Sequence, residues 1–208
     1  MRHGQSEWNA VGRWQGWADP DLSPLGRLQA AHAGQRLAGL RLWGGGNAFT
    51  GVVSSDLVRS LATAQILAAE LGLDKPVSQP GLREFDVGEW SGLIRAEIET
   101  RWPGDLAKWR AGQLEQMPGG ETRAEFESRI FAALKALDVR YGDATMLVVT
   151  HGGVIGTIVR VIGAPVGRER LSNLRGRWFD VNGDRIEPGP EVALLDPELE
   201  SPAITPVA

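Results

Sequence analysis

The sequence predicts an α/β fold, a three-layer sandwich with a mostly parallel central sheet flanked by helices. Three observations lead there. Strand, turn and helix patterns alternate along the chain; the run Met146 to Thr150 is continuously apolar and bounded by turn residues, as in a strand buried on both faces; and a polar residue repeatedly follows a strand just before a helix, as at Ser54-Ser55 and Thr150-His151. In open α/β sheets the ligand crevice lies outside those strand ends, so segments far apart in sequence can meet there.

In chain order, Ser23-Pro24 supplies a cap and a first-turn proline, and Leu25, Leu28, Ala31, Ala33 and Leu37 continue at helical spacing, so a helix is expected over 22–40, ending near Gly39. Gly44-Gly45-Gly46-Asn47 reads as a linker, because it lacks the Lys-Ser/Thr of a phosphate-binding P-loop. Thr50 to Ser54 is expected to be a short buried strand. A helix follows from about Asp56 to Leu71, with Leu57, Leu61, Ala64, Ala68 and Leu71 on one face. Arg59 falls in its first turn, near the free N–H groups that attract anions.

The stretch 93–112 reads as one or two helices broken at Pro103-Gly104. Thr122 and Glu125 have capping-box spacing, and Phe126, Ile130, Leu134 and Leu137 recur behind them as a helix. After the strand ending at Thr150, Gly152-Gly153 opens another helix carrying Val154, Ile155, Ile158, Val159 and Ile162. Residues 1–186 are expected to form a single domain, and 187–208, rich in Pro and Glu, a loosely packed tail.

Composition removes several classes of chemistry. The 208-residue chain has no cysteine, which rules out thiolate nucleophiles, disulfides and cysteine metal sites, and leaves His, carboxylate, hydroxyl and Arg. A net charge of −4 argues against a broad nucleic-acid surface. No segment is apolar over a membrane-spanning length, so a cytoplasmic location without membrane partners is expected. All but three of the 22 basic residues are arginine, whose planar fork suits phosphate and carboxylate.

Arg2-His3-Gly4 reads as a histidine nucleophile for phosphate. It opens the run Arg2 to Asn9 and is followed, in order, by Ser54-Ser55-Asp56-Leu57-Val58-Arg59, Leu82-Arg83-Glu84-Phe85-Asp86-Val87-Gly88-Glu89-Trp90 and Val148-Val149-Thr150-His151-Gly152-Gly153. Together these motifs resemble the histidine phosphatase superfamily, which includes cofactor-dependent phosphoglycerate mutases, and the resemblance extends from residue 2 to about 180. It implies a phosphoglycerate mutase-like fold and a catalytic set of His3 as nucleophile, Arg2, Arg59 and His151 around the phosphoryl oxygens, and Glu84 as general acid. It also implies that Gly4 accepts the proton of the second ring nitrogen of His3, and that Asn9, Gln15, Gly16 and Gly152 bind substrate. No metal or other cofactor is then required, and the partner is a small phosphorylated metabolite, with a homodimer as a compatible assembly.

Mutases of this family carry a long insertion after the Glu84 motif, whereas here Gly88 to Gly92 runs directly into a compact helical segment and Pro118-Gly119-Gly120. That short form is similar to the broad-specificity phosphatase branch, acting on sugar phosphates or phosphoglycerate derivatives; the mutase is the enzymatic alternative. Only Met1 precedes Arg2, where the family has a central apolar strand. The sequence therefore suggests a missing first strand, Met1 as an internal strand methionine, and, as a reading of another class, an impaired member that binds phosphate without turnover. His32 is read as structural, and the tryptophans as packing residues, with Trp14 and Trp17 in the entrance loop.

Overall fold

The computed structural model describes residues 1–42, 49–165 and 171–200. In chain order these form α1 (Glu7–Ala10), α2 (Pro24–Leu42), β1 (Gly51–Ser54), α3 (Val58–Leu71), β2 (Val77–Ser78), α4 (Arg95–Arg101), α5 (Asp105–Arg110), α6 (Arg123–Tyr141), β3 (Met146–Val149), α7 (Gly152–Val161), β4 (Arg175–Asn182) and β5 (Arg185–Ala193). The glycine linker at 44–47 lies outside the described residues.

Strands β2, β1 and β3 form a parallel sheet in that order, with Val53 opposite Val77 and Gly51 to Ser54 opposite Met146 to Val149. Because successive side chains point to opposite faces, Val52, Leu147 and Val149 enter one core, with Ala33 and Leu37 of α2 and Ala64, Leu67, Ala68 and Leu71 of α3. Val53 enters a second core, built from Leu82, Phe85, Trp90, Ile98 and Leu106 with Phe126 and Ile130 of α6 and Val154 and Ile158 of α7. Two cores separated by one parallel sheet make the three-layer sandwich.

The helix ends follow local chemistry. Ser23 accepts from the Gly26 N–H at the start of α2, and the Thr122–Glu125 capping box closes in both directions at the start of α6. The Asp19 carboxylate accepts the Val58 N–H at the head of α3, and Gly72 ends that helix in the left-handed conformation, φ 63°. Pro103-Gly104 separates α4 from α5.

One sequence reading, that of the tail, needs correction, and two others gain detail. The buried face of α2 is Gly26, Gln29, Ala30, Ala33 and Leu37, while Leu28 is 63% exposed. Small residues face inward because the helix approaches other backbone closely: a Cβ on Gly26 would lie 1.9 Å from the Gln5 carbonyl oxygen. As far as Glu200, where the described residues end, the stretch after residue 187 is not a loose tail: β5 pairs antiparallel with β4 through a Gly183-Asp184 turn, and Leu194 and Leu195 are buried in the first core. Its Pro188 and Pro190 are tolerated in a two-stranded ribbon with a register shift near Arg177, where not every ladder donor is needed.

Met1 to His3 form no strand, in line with the expected loss of the first one, but they run beside β3. Arg2 pairs in parallel with Thr150. The Met1 amino group donates to Val148, Thr150 N–H to Met1, and His3 N–H to Thr150; on the other side Arg2 N–H donates to Arg175 and Leu174 N–H to Arg2. The three residues therefore bond to main chain on both sides, and the His3 N–H is held by the Thr150 carbonyl.

Candidate active site

Each predicted catalytic side chain leaves the same edge of the sheet. His3 follows the short run beside β3, Arg59 lies in the first turn of α3 after β1, and His151 joins β3 to α7. Glu84 comes from the loop after the single turn Pro80–Leu82, whose Leu82 carbonyl is held by the Thr150 hydroxyl. His3, Arg59 and His151 are all buried.

His3 is pre-oriented. Its Nδ1 lies 2.6 Å from the Gly4 carbonyl, which can only accept, so Nδ1 keeps the proton and Nε2 keeps a lone pair. The Gly4 N–H in turn bonds to Thr63 of α3, and the His3 carbonyl accepts from the Asn173 amide. Burial, then the charges of Arg59 and Arg2, push the His3 pKa well below 6.5. The His151 ring stands edge-on to His3, with centroids 5.2 Å apart. Burial, then the charges of Arg59, Arg2 and Arg129, likewise lower the His151 pKa well below 6.5, so the cationic charge here rests on Arg2 and Arg59 rather than on three groups.

His151 Nε2 is 2.9 Å from Ser55 Oγ, which also accepts from the Leu57 N–H. That pairing lets Ser55 give its hydroxyl proton to Nε2 and leaves the imidazole proton on Nδ1. Nδ1 is buried, and it has no hydrogen-bond partner among the described residues; the same holds for Arg59 Nε. Orphaned buried donors are costly and rare, and two in one cluster mark a place for an acceptor such as an oxyanion. Burial lowers the Arg59 pKa to about 10, against the opposing pull of Glu84 and Asp19, so it remains charged at neutral pH. Its Nη1 and Nη2 donate to the carbonyls of Ala18 and Gly16 in the entrance loop.

Glu84 is held at both ends. Its carboxylate accepts from the Phe85 and Gly153 N–H groups, and its carbonyl accepts from Trp17 Nε1 at 2.8 Å. Gly153 is needed there, since a Cβ would lie 2.1 Å from Glu84 Oε1; Gly152 packs against Arg2, its Cβ position 3.7 Å from Arg2 Cδ. A cavity of about 90 Å³ opens beside Gly153, lined by Phe85, Trp109, Phe126 and Arg160 among others.

The residues expected to bind substrate sit less directly. Ser6 accepts from Asn9 N–H and gives its own N–H to Asn9 Oδ1, while the Ser6 hydroxyl donates to Gln15 Oε1. Asn9 and Gln15 are thus joined through Ser6, and Gly16 contributes a carbonyl that braces Arg59. Ser55, Thr63, Asn173, Arg129 and Trp17 were not singled out as site residues in the sequence, although all contact the segments that carry it.

Both imidazoles are neutral in the folded chain and regain an ordinary pKa on unfolding. Below 6.5 the unfolded chain then binds more protons. Stability is fully present above that value and is lost as the pH falls below it, by up to about 1.4 kcal/mol per pH unit for each imidazole. Melting temperatures taken from about pH 7.5 to about pH 5 should fall, and a His3→Gln variant should fall less steeply; equal slopes would show that His3 is not held neutral.

The sequence model of the histidine phosphatase superfamily (branch 1) matches residues 1–181. The glucosyl-3-phosphoglycerate phosphatase of Mycolicibacterium vanbaalenii is 35% identical over 207 residues, covering 94% of this chain and 88% of that protein. The 2,3-bisphosphoglycerate-dependent phosphoglycerate mutase of Methylobacterium radiotolerans is 35% identical over 168 residues, 78% of this chain and 76% of that one. Among solved structures, mycobacterial glucosyl-3-phosphoglycerate phosphatase Rv2419c with VO3 superposes with a TM-score of 0.76 at 28% identity, over 90% of this chain and 94% of that one.

Proposed function

This chain belongs to the histidine phosphatase superfamily, and on that premise we propose that it is a cytoplasmic phosphomonoesterase that hydrolyses small phosphorylated metabolites through a phosphohistidine. The observation that carries the reading is the pairing of a neutral, Gly4-anchored His3 with two arginines and two orphaned donors in one buried cluster. His3 Nε2 attacks phosphorus while Arg2, Arg59 and His151 Nδ1–H bind the equatorial oxygens. As the P–N bond forms, the P–O ester bond breaks and Glu84 gives its proton to the departing oxygen. Water then attacks the phosphohistidine, Glu84 takes its proton, and the P–N bond breaks to release inorganic phosphate.

Relatives named for glucosyl-3-phosphoglycerate and for phosphoglycerate make sugar phosphates and phosphoglycerate derivatives the substrates to test. Hydrolysis is favoured over mutation by the short path from Trp90 through α4 and α5 to Met117, along which Trp90, Ile98, Leu106 and Met117 pack into the second core.

The test follows phosphate release in the presence of a chelator. Hydrolysis of p-nitrophenyl phosphate and of 3-phosphoglycerate esters is expected without added metal, whereas interconversion of 2- and 3-phosphoglycerate with negligible phosphate release would overturn the reading in favour of a mutase. In kcat/KM, which excludes the shared hydrolysis of the phosphohistidine, Glu84→Gln should lose about 10²-fold or more on alkyl esters and much less on p-nitrophenyl phosphate, whose leaving group needs no proton.

A further inference from the structure

Helix α6 lies outside the four motifs, yet one of its side chains reaches the segment that carries Glu84. The Arg129 guanidinium donates Nη1 to the carbonyls of Gly81 (3.1 Å) and Arg83 (2.7 Å), and Nη2 to the carbonyl of Glu84 (2.7 Å). The Glu121 carboxylate holds the same guanidinium at Nε and Nη2, at 2.9 and 2.7 Å, and also accepts the Asp86 N–H. From the entrance loop, Trp17 Nε1 donates to the Glu84 carbonyl, and its ring takes the guanidinium groups of Arg83 and Arg129 at 4.9 and 5.7 Å.

Both members of the Arg129–Glu121 pair are largely shielded, with side-chain exposures of 20% and 12%. A shielded ion pair gives little net stability over apolar packing of the same volume. What it does provide is direction: a planar fork fixed by a carboxylate can hold three carbonyls, one in the Pro80–Leu82 turn and two in the loop that follows it. The main chain of Glu84 is thereby set from α6 and from the entrance loop, while its carboxylate is set by Gly153 and Phe85.

We propose that Arg129, braced by Glu121, and Trp17 are positioning residues for Glu84, which place its carboxyl group against the departing ester oxygen. The proposal rests on the reading of Glu84 as the general acid. The proton moves from the Glu84 carboxyl to the ester oxygen as the P–O bond breaks and the P–N bond to His3 forms; a nitrophenolate leaves without that proton. Loss of the clamp therefore weakens turnover of alkyl esters selectively.

The experiment compares kcat/KM, which reports the steps up to the phosphohistidine and not its hydrolysis, on an alkyl ester, glycerol 3-phosphate, and on p-nitrophenyl phosphate for Arg129→Met, Arg129→Lys, Trp17→Phe and Glu84→Gln, alongside melting curves. Arg129→Met is expected to lose about 10²-fold on the alkyl ester and less than about fivefold on the aryl ester. Arg129→Lys should follow it, since a lysine keeps the charge but not the fork. Trp17→Phe, at a residue 40% exposed, keeps the ring and removes one donor, and should lose about tenfold on the alkyl ester alone; it decides the matter if Arg129→Met melts early. Equal losses on both esters, or an unchanged alkyl rate in Trp17→Phe, overturn the proposal. Selective loss in Glu84→Gln without it in the clamp variants overturns the positioning role alone, and uniform loss in all four overturns the acid assignment with it.

Discussion

A His3→Ala variant keeps its fold and loses turnover by about 10⁴–10⁶-fold, the scale seen when a nucleophile is removed from a covalent mechanism. The fold survives because the bonds that seat this residue belong to the main chain: its N–H to Thr150 and its carbonyl to Asn173. The loss is large because no other described side chain shares its arrangement. His151 is equally buried, but its Nε2 faces Ser55, so it cannot offer a lone pair to phosphorus in place of His3. The decisive measurement is trapping of a phosphoenzyme by rapid acid-free quench. Wild-type protein should yield an acid-labile, base-stable adduct and the variant none; an undiminished adduct in the variant would place the nucleophile elsewhere.

Gly26→Ala is expected to destabilise the protein by about 3 kcal/mol, at the upper end for overpacking, and to lower the melting temperature by roughly 6–12 °C for a chain of this size. The added methyl would lie 1.9 Å from the Gln5 oxygen and within 3 Å of Gln5 C and N, all backbone atoms that cannot rotate away. Gly4 meets the same helix from the other side, its Cβ position 2.6 Å from the Gly26 oxygen. The strain therefore falls on the peptide whose carbonyl anchors His3 Nδ1, and kcat should fall along with stability. Calorimetry and steady-state rates on one preparation check both effects; a variant that melts as wild type would show that α2 can shift without cost.

Much of this was legible because periodic burial leaves a pattern. Val52 and Val53 alternate into two cores, and the Thr122–Glu125 pair and Ser23-Pro24 are local signals that act as the sequence suggests. The inward face of α2 carries no strong apolar signal, because close backbone at Gly26 demands a small residue and Leu28 faces solvent. The β4–β5 hairpin was hidden by Pro188, Gly189, Pro190 and a charged, half-exposed strand, all of which read as tail. At the site, motif residues were visible in order, but the clamp on Glu84 was not. Arg129 reaches carbonyls 45 to 48 residues earlier in the chain, and a side chain that recognises main-chain oxygen leaves no complementary residue type to find.

The parallel course of β1 and β3 places chemistry and slack at opposite ends of the molecule. Arg59 and His151 follow the ends of β1 and β3 and Arg2-His3 lie beside the end of β3, while the chain enters those strands, at Gly51 and after Gly142 to Thr145, on the far edge. Insertions and deletions there would alter how the chain travels without moving the groups that meet the substrate. The loops at the near edge, from Trp14 to Asp19 and from Leu82 to Met117, are where descendants of one ancestor can exchange one phosphorylated metabolite for another.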